Sequence, residues 1–291
     1  MLTPAQAAGV TRGVLAVSFA ILAVFNILPG AEASWSAWLS DHPVLGDISN
    51  QALGLALAAA VYQLAIAGLL GIPMLGARLR RVGYGLVGGY AIGNLLILVS
   101  NSNWLSPMAD NQAFADGHIL LIASVLPGLA LWAAGFEHDR MFTARRQADQ
   151  SLARHLIVTG LILVLMYIGL TKIWPTPADY TGQRFAASLI GRVSGEVWGP
   201  WILKVLGVIQ IVTALALSGF WYSRRFLRAG LILGAFWIVW AWVNATTSGH
   251  FFQPGAGSTW QLGDMGEWAL KTSWAAAALL AILSERRRRR R

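Results

Sequence analysis

The amino-acid sequence predicts an all-α protein that crosses a membrane several times. Of its 291 residues, 56% are hydrophobic and 12% are charged, whereas about 25% are charged in an average soluble domain. Apolar segments of about 20 residues, the length that spans a bilayer, recur along the whole chain. Arginines lie at every second boundary between these segments. Together these observations exclude an ordinary soluble enzyme.

Eight segments are long and apolar enough to be predicted spans. They are 12–30, 51–75, 82–100, 117–135, 155–174, 200–220, 229–248 and 266–284. Seventeen of the 22 Lys and Arg residues lie on one side of these spans, and the positive-inside bias assigns that side to the cytoplasm. Both termini are therefore expected to be cytoplasmic. The net charge of +9 then reflects topology, and no nucleic-acid partner is expected.

An internal repeat relates the two halves of the chain at an offset of 146–148 residues. Four landmarks keep this spacing: Asn26 over Lys172, Gln63 over Gln210, Arg81 over Arg228, and Asp116 over Asp264. The repeat predicts a tandem duplication, with two parallel four-helix bundles related by a pseudo-two-fold axis along the membrane normal.

The predicted units are 1–135 and 155–285, joined by an arginine-rich cytoplasmic linker, 136–154, and followed by a basic tail, 286–291. The first span resembles a cleavable signal peptide. We expect it to be retained, because it has a counterpart within the second unit.

Ionisable groups inside apolar spans are costly and often functional. All three lysines lie in the second unit, near the predicted outer ends of spans. Convergence of the last four spans would place one polar pocket in the outer leaflet. The candidate ligand-binding residues are Lys172, Lys204, Gln210, His250, Asp264, Glu267 and Lys271. Three of these, Lys172, His250 and Glu267, are also candidate catalytic groups.

Each candidate has a structural alternative. Lys172 and Lys204 can extend to headgroups, Glu267 and Lys271 can form a helix-end ion pair, and Gln210 can hydrogen-bond a neighbouring helix. His250 can be an ordinary loop histidine. The chain has no cysteine, and its histidines lack ligand spacing, so neither a metal site nor a bis-histidine haem is predicted.

Several strings of the second unit resemble the DoxX-like superfamily, in particular its YkgB-type and DoxD-like inner-membrane proteins. They are Tyr167-Ile-Gly169-Leu-Thr-Lys172-Ile-Trp-Pro175, Gly207-Val-Ile-Gln210, and a histidine, His250, after the third helix. The sequence departs from the family where Gln210 replaces a usual Glu. In the first unit, Asn26 and Asn103 replace the lysine and the histidine.

The resemblance implies a bacterial-type inner-membrane subunit of a redox or oxidative-stress-linked system that binds a quinone or another lipid-soluble ligand. Lys172 would polarise or anchor a ligand oxygen, Gln210 would donate a hydrogen bond, and His250 would donate a proton. Because the chain lacks an electron path, we expect a partner redox or membrane protein besides the surrounding lipids, and an oligomer is compatible with this. Whether the chain is itself an enzyme stays open. Two alternatives are a cofactor-free assembly subunit of a larger membrane complex and a carrier of small solutes or lipids.

Overall fold

The computed structural model describes residues 2–40, 45–100, 112–137, 143–173, 185–249, 252–254, 260–262 and 264–288. Nearly all of them are helical. The helices are α1 (Pro4–Ile27), α2 (Ala31–Ser40), α3 (Ala52–Gly71), α4 (Ala77–Ser100), α5 (Gln112–Ala134), α6 (Thr143–Ile173), α7 (Leu189–Leu217), α8 (Arg224–Thr247) and α9 (Asp264–Arg288). A 3₁₀ helix, Gly46–Gln51, precedes α3, and a short helix, Gly219–Tyr222, follows α7. Two antiparallel strands, β1 (Phe252–Pro254) and β2 (Trp260–Leu262), pair between α8 and α9.

The prediction of an all-α membrane protein is confirmed, and each predicted span overlaps one helix. Five segments are long and apolar enough to cross a membrane: Pro4–Ile27, Gly46–Gly71, Gln150–Ile173, Leu189–Tyr222 and Arg224–Thr247. That α4, α5 and α9 also cross the membrane, giving eight spans in all, stays a prediction.

Helices α1, α6 and α7 begin eight or more residues before the spans that the hydropathy pattern predicts. Helix α1 starts at Pro4 because Thr3 and Gln6 form a capping box. The Thr3 hydroxyl accepts from the Gln6 backbone N–H at 3.3 Å, and the Gln6 side chain accepts from the Thr3 N–H at 2.9 Å. Helix α6 starts at Thr143, so much of the predicted linker 136–154 is the first part of a helix.

Helix α7 is bent where its apolar span begins. Gly195 has φ 67° and ψ −178°, a backbone conformation that favours glycine. The Ser188 hydroxyl accepts from the Gly191 N–H at 3.2 Å and caps the short piece that precedes the bend. The predicted span from residue 200 onwards is therefore only the second part of α7.

Large apolar side chains cover the outside of the helices. Val61 on α3 is 67% exposed and Ile232 on α8 is 66% exposed. So extended an apolar surface is rare on a soluble monomer, because water solvates it poorly, whereas lipid tails solvate it well. This surface and the five long apolar helices agree on a membrane environment.

The centre of the molecule consists of α5 and α9, which carry the fully buried Trp132 and Trp274. Helix α5 packs mainly on α4 and α6, and α9 mainly on α1 and α8. Across the α1–α9 contact, Phe19 stacks on Trp274 with ring centroids 5.6 Å apart. Helix α5 therefore packs more on α6 than on α1, and α9 packs more on α1 than on α6. The last helix of each predicted unit is thus a neighbour of the first helix of the other unit. This contact places side chains of α9 among the helices of the first half.

A carboxylate joins three segments at the arginine-rich end of the first half. Glu137, just after α5, accepts from Arg12 of α1 at 3.1 Å and from Arg80 of α4 at 3.0 Å. Its backbone carbonyl accepts from Arg81 at 2.9 Å. The Glu137 side chain is only 11% exposed. These arginines, interpreted from the sequence as topology signals alone, also hold helix ends together.

Candidate functional site

The last turn of α6 and the middle of α7 form a polar contact through Lys172 and Gln210. The Lys172 Nζ donates to Gln210 Oε1 at 2.7 Å. Gln210 is 1% exposed, and its Nε2 atom is buried with no hydrogen-bond partner. An unsatisfied buried amide N–H is costly, so Gln210 keeps one unused hydrogen-bond donor next to the contact.

Two glycines bring the helices close enough for this contact. A Cβ added at Gly207 would lie 2.7 Å from the Gly169 carbonyl oxygen and 2.9 Å from the Lys172 Cβ. A Cβ at Gly169 would lie 2.9 Å from the Gly207 carbonyl oxygen. Each glycine precedes one member of the pair by three residues, which is almost one helical turn. The strings quoted from the sequence therefore have a structural role, because they let Lys172 reach Gln210.

No carboxylate among the residues that the structure describes balances the charge of Lys172. Its described side-chain partner is the neutral amide of Gln210. A lysine ammonium has three donor hydrogens, of which this hydrogen bond uses one. An ammonium in a low-dielectric region is stabilised by acceptors and by opposite charge. The contact thus combines a cation and a free amide donor.

The first half has a matching contact between α1 and α3. The Asn26 Nδ2 donates to Gln63 Oε1 at 2.9 Å, and Gln63 is 3% exposed. Asn26 and Gln63 are the residues that the predicted repeat superimposes on Lys172 and Gln210. A third residue completes this contact, because the Trp35 Nε1 of α2 donates to Asn26 Oδ1 at 2.9 Å. Both polar groups of the Asn26 amide are therefore satisfied.

Glu267 and Lys271 form an ion pair on α9, with Nζ and Oε2 2.7 Å apart. The Lys271 side chain is 10% exposed, and that of Glu267 is 41% exposed. Tyr90 of α4 is close enough for its hydroxyl to interact electrostatically with both residues, and its ring contacts Phe19 of α1 at 5.1 Å. The pair therefore faces helices of the first half.

Five of the seven predicted ligand-binding residues have side chains that the structure describes: Lys172, Lys204, Gln210, Glu267 and Lys271. No hydrogen bond or ion pair within the described parts of the chain joins the Lys172–Gln210 contact to the Glu267–Lys271 pair. Lys204 is exposed, and its Nζ lies 5.2 Å from the ring centre of Trp201. His250 and the side chain of Asp264 lie outside the described residues. The described candidates thus form two contacts and one exposed lysine, and the single pocket that includes His250 and Asp264 stays a prediction.

Sequence reasoning missed two residues of these contacts, Trp35 and Tyr90. Neither lies within a motif, and an aromatic residue near a helix end is common in membrane proteins. The described residues contain no group of three or more His, Asp or Glu side chains that could hold a metal ion.

Comparison of the chain with protein-family models, with curated proteins and with solved structures gives no match. The resemblance to the DoxX-like superfamily therefore stays a prediction from the motifs.

Proposed function

We propose that this chain is an integral membrane subunit of a redox or oxidative-stress-linked system, and that it binds a quinone or another lipid-soluble molecule at Lys172 and Gln210. The observation that supports this most is the unsatisfied Gln210 Nε2 beside a lysine whose described side-chain partner is a neutral amide. Both groups donate, so the ligand has to accept. A quinone ring carries carbonyl oxygens that accept hydrogen bonds and is otherwise apolar.

The residues present fit such a ligand. Lys172 would hold one oxygen through a charge-assisted hydrogen bond, which is about twice as strong as a neutral one. The Gln210 amide would donate to an acceptor on the same side and would gain its missing partner. A bound quinone supplies the capacity to take up two electrons and two protons. We assign the electron supply to a partner protein, because this chain has no cysteine for an iron–sulfur cluster.

The Glu267–Lys271 pair has a different role in this proposal. Its charges compensate each other, so it leaves no unbalanced cation for a ligand. Its electrostatic interaction with Tyr90 instead supports packing of α9 next to the first half, where α1 is a main neighbour. His250 and Asp264 stay predicted contributors from the loop side.

Binding of a short-chain ubiquinone analogue to the chain in lipid nanodiscs tests the proposal. Lys172→Met should weaken binding roughly 10- to 100-fold, because one hydrogen bond to a charged group is removed. Lys204→Met is the matched control, since Lys204 lies on the exposed face of α7, and it should bind as the wild type does. Equal affinity for Lys172→Met and Lys204→Met would overturn the proposal.

A second candidate function, assembly within a larger membrane complex, has support from α4. A Cβ added at Gly85, Gly88 or Gly93 would meet no atom within 4 Å. In membranes, glycines on a helix face let another helix approach closely, and within this chain only Gly89 of this group meets a neighbour, Tyr62. Gly88→Leu should then reduce co-purification of a partner subunit, whereas the monomer should keep its stability in detergent. Unchanged recovery of the partner would exclude this role for the α4 face.

A further inference from the structure

The beginning of α8 has two exposed arginines, Arg225 and Arg228, on one face of the helix. They are three residues apart, and residues at this spacing are neighbours on a helix surface. Among the residues that it covers, the structure describes no hydrogen bond or ion pair for either guanidinium group. Both groups therefore keep their donors for a ligand from outside the described chain.

The corresponding end of the first half is neutralised from within the protein. The predicted repeat places Arg81 of α4 at the position of Arg228. Arg81 donates to the backbone carbonyl of Glu137 at 2.9 Å, and the adjacent Arg80 pairs with the Glu137 carboxylate at 3.0 Å. The described part of the second half has no such pairing at Arg228.

Exposed apolar side chains continue the same face of α8 along the helix. They follow Arg228 at intervals of four, four, three and four residues, which places them in one stripe. This apolar stripe consists of Ile232, Phe236, Val239 and Val243, which are 66%, 51%, 62% and 39% exposed. The face thus has a cationic end and an apolar length, which matches a molecule with an anionic head and hydrocarbon tails.

The surroundings of the two arginines place them at the membrane–water interface. They lie at the start of a helix that is long and apolar enough to span a bilayer. Just before it, Trp221 is 48% exposed and Tyr222 is 68% exposed, and both residue types are enriched at headgroup level. The first turn of α8 has no acidic residue, whereas the helix dipole favours a negative charge there. An anion at headgroup depth would satisfy both the dipole and the arginines.

We propose that Arg225 and Arg228 bind the phosphate of an anionic phospholipid, whose acyl chains lie along the apolar stripe of α8. A guanidinium group can donate two parallel hydrogen bonds to a phosphate. The predicted topology puts this end of α8 in the cytoplasmic leaflet, where anionic lipids attract basic residues. The apolar stripe favours a lipid over a free phosphate ion, which has no tails to bury. This site goes beyond the proposed function, because it does not involve Lys172 or Gln210.

Native mass spectrometry of the full chain in neutral detergent tests the site. The wild type should bind phosphatidylglycerol more tightly than phosphatidylcholine with the same acyl chains. Arg225→Gln should weaken phosphatidylglycerol binding about fivefold, and Arg225→Gln/Arg228→Gln about 25-fold, as expected for arginines at an anionic lipid surface. Phosphatidylcholine binding should not change. A wild type that does not prefer phosphatidylglycerol would overturn the proposal.

Arg78→Gln is the matched control. Arg78 is an exposed arginine at the position of Arg225 in the predicted repeat, but Gly85 and Gly89 of α4 occupy the positions of Ile232 and Phe236. No comparable stripe of side chains continues from it, so Arg78→Gln should leave phosphatidylglycerol affinity as it is. Equal losses in Arg78→Gln and Arg225→Gln would show general attraction by positive charge and would contradict a site on α8.

Competition with inorganic phosphate distinguishes a lipid from a free anion. Inorganic phosphate at the concentration of the lipid should not displace phosphatidylglycerol, and displacement would refute the assignment of a lipid. Arg225→Gln should bind the short-chain ubiquinone analogue as the wild type does. The lipid site and the proposed function can therefore fail independently.

Discussion

The Asn26–Gln63 and Lys172–Gln210 contacts occupy corresponding positions of the predicted repeat, yet within the described part of the chain only the second keeps a buried amide nitrogen without a partner. In the first half the Asn26 amide bonds both Gln63 and Trp35, and the Tyr90 hydroxyl hydrogen-bonds the Gln63 side chain. In the second half the lysine brings a charge, and Gln210 retains an unsatisfied donor. Because packing and burial are similar at both contacts, the difference lies in the charge of Lys172 and in the unsatisfied Gln210 nitrogen.

Lys271 of α9 provides a second comparison for Lys172. Lys271 is buried, and it has the carboxylate of Glu267 at 2.7 Å. Lys172 has an amide at the same distance. A buried ammonium with a carboxylate partner is a structural element, whereas one with a neutral partner retains electrostatic attraction for an acceptor. Four substitutions test how far this division between the halves holds.

The largest effect is expected for Glu137→Gln in the first half. The substitution removes the carboxylate that joins Arg12 and Arg80 and leaves two partly buried guanidinium groups close together. We expect a loss of about 3 kcal/mol in the free energy of unfolding, measured by SDS titration in mixed micelles. Quinone binding at Lys172 should be unchanged once the protein is folded. Glu196→Gln, at an exposed glutamate, is the control and should not change the stability. Equal stability of the two variants would contradict the proposal that Glu137 holds the helix ends together.

Gly207→Ala should disrupt the second-half contact. The added Cβ would collide with the Gly169 carbonyl and with Lys172, so the helices must separate. Overpacking of this kind costs about 2 kcal/mol, and it should also weaken quinone binding because Lys172 and Gln210 move apart. Gly85→Ala, which adds a methyl group in open space, should leave both quantities as they are. Wild-type stability of Gly207→Ala would show that α6 and α7 are not in close contact there.

Lys271→Met should have a smaller effect on stability and none on binding. The loss of the ion pair should cost roughly 1–2 kcal/mol, reduced by the exposure of Glu267. The double variant Lys271→Met/Glu267→Gln should recover part of this loss, because the unpaired carboxylate is then removed. A thermal melt monitored by circular dichroism measures the stabilities. Loss of quinone binding in Lys271→Met would mean that the two lysines act in one pocket after all.

Trp35→Phe should give the smallest effect. It keeps an aromatic ring but removes the hydrogen bond to Asn26, which is worth about 1 kcal/mol, together with part of the packing area of the indole. The same melting experiment applies, with Trp198→Phe as the control. If Trp35→Phe and Trp198→Phe melt alike, the indole N–H contributes nothing to the first-half contact.

Much of the fold follows from the sequence, because hydropathy and arginine spacing report on each helix separately. The repeat offset also identified the residues that meet in both interhelical contacts, since Asn26, Gln63, Lys172 and Gln210 are landmarks of that repeat. Hydropathy does not determine which helices are neighbours, and so the packing of α9 on α1 through Trp274 could not be foreseen.

This neighbour relation bears on the predicted pocket, because α9 has α1 as a main neighbour besides α8. The expectation of one pocket assumed that α9 packs chiefly within its own unit, which would bring Lys271 near Lys172. The roles of Glu137 and Trp35 could not be predicted from the sequence for another reason. Each depends on a single long side chain that reaches a different helix, and no periodic pattern records such a contact.

Photochemical labelling tests the central claim most directly, because it asks which half of the chain binds the ligand. A photoreactive short-chain ubiquinone would be crosslinked to the protein in nanodiscs, and the labelled peptides would be identified by mass spectrometry. We predict labelling of the peptides that contain Lys172 and Gln210, suppressed by excess unlabelled quinone, and no specific labelling around Asn26 and Gln63. Specific labelling of the first-half peptides, or equal labelling of both halves, would contradict the account.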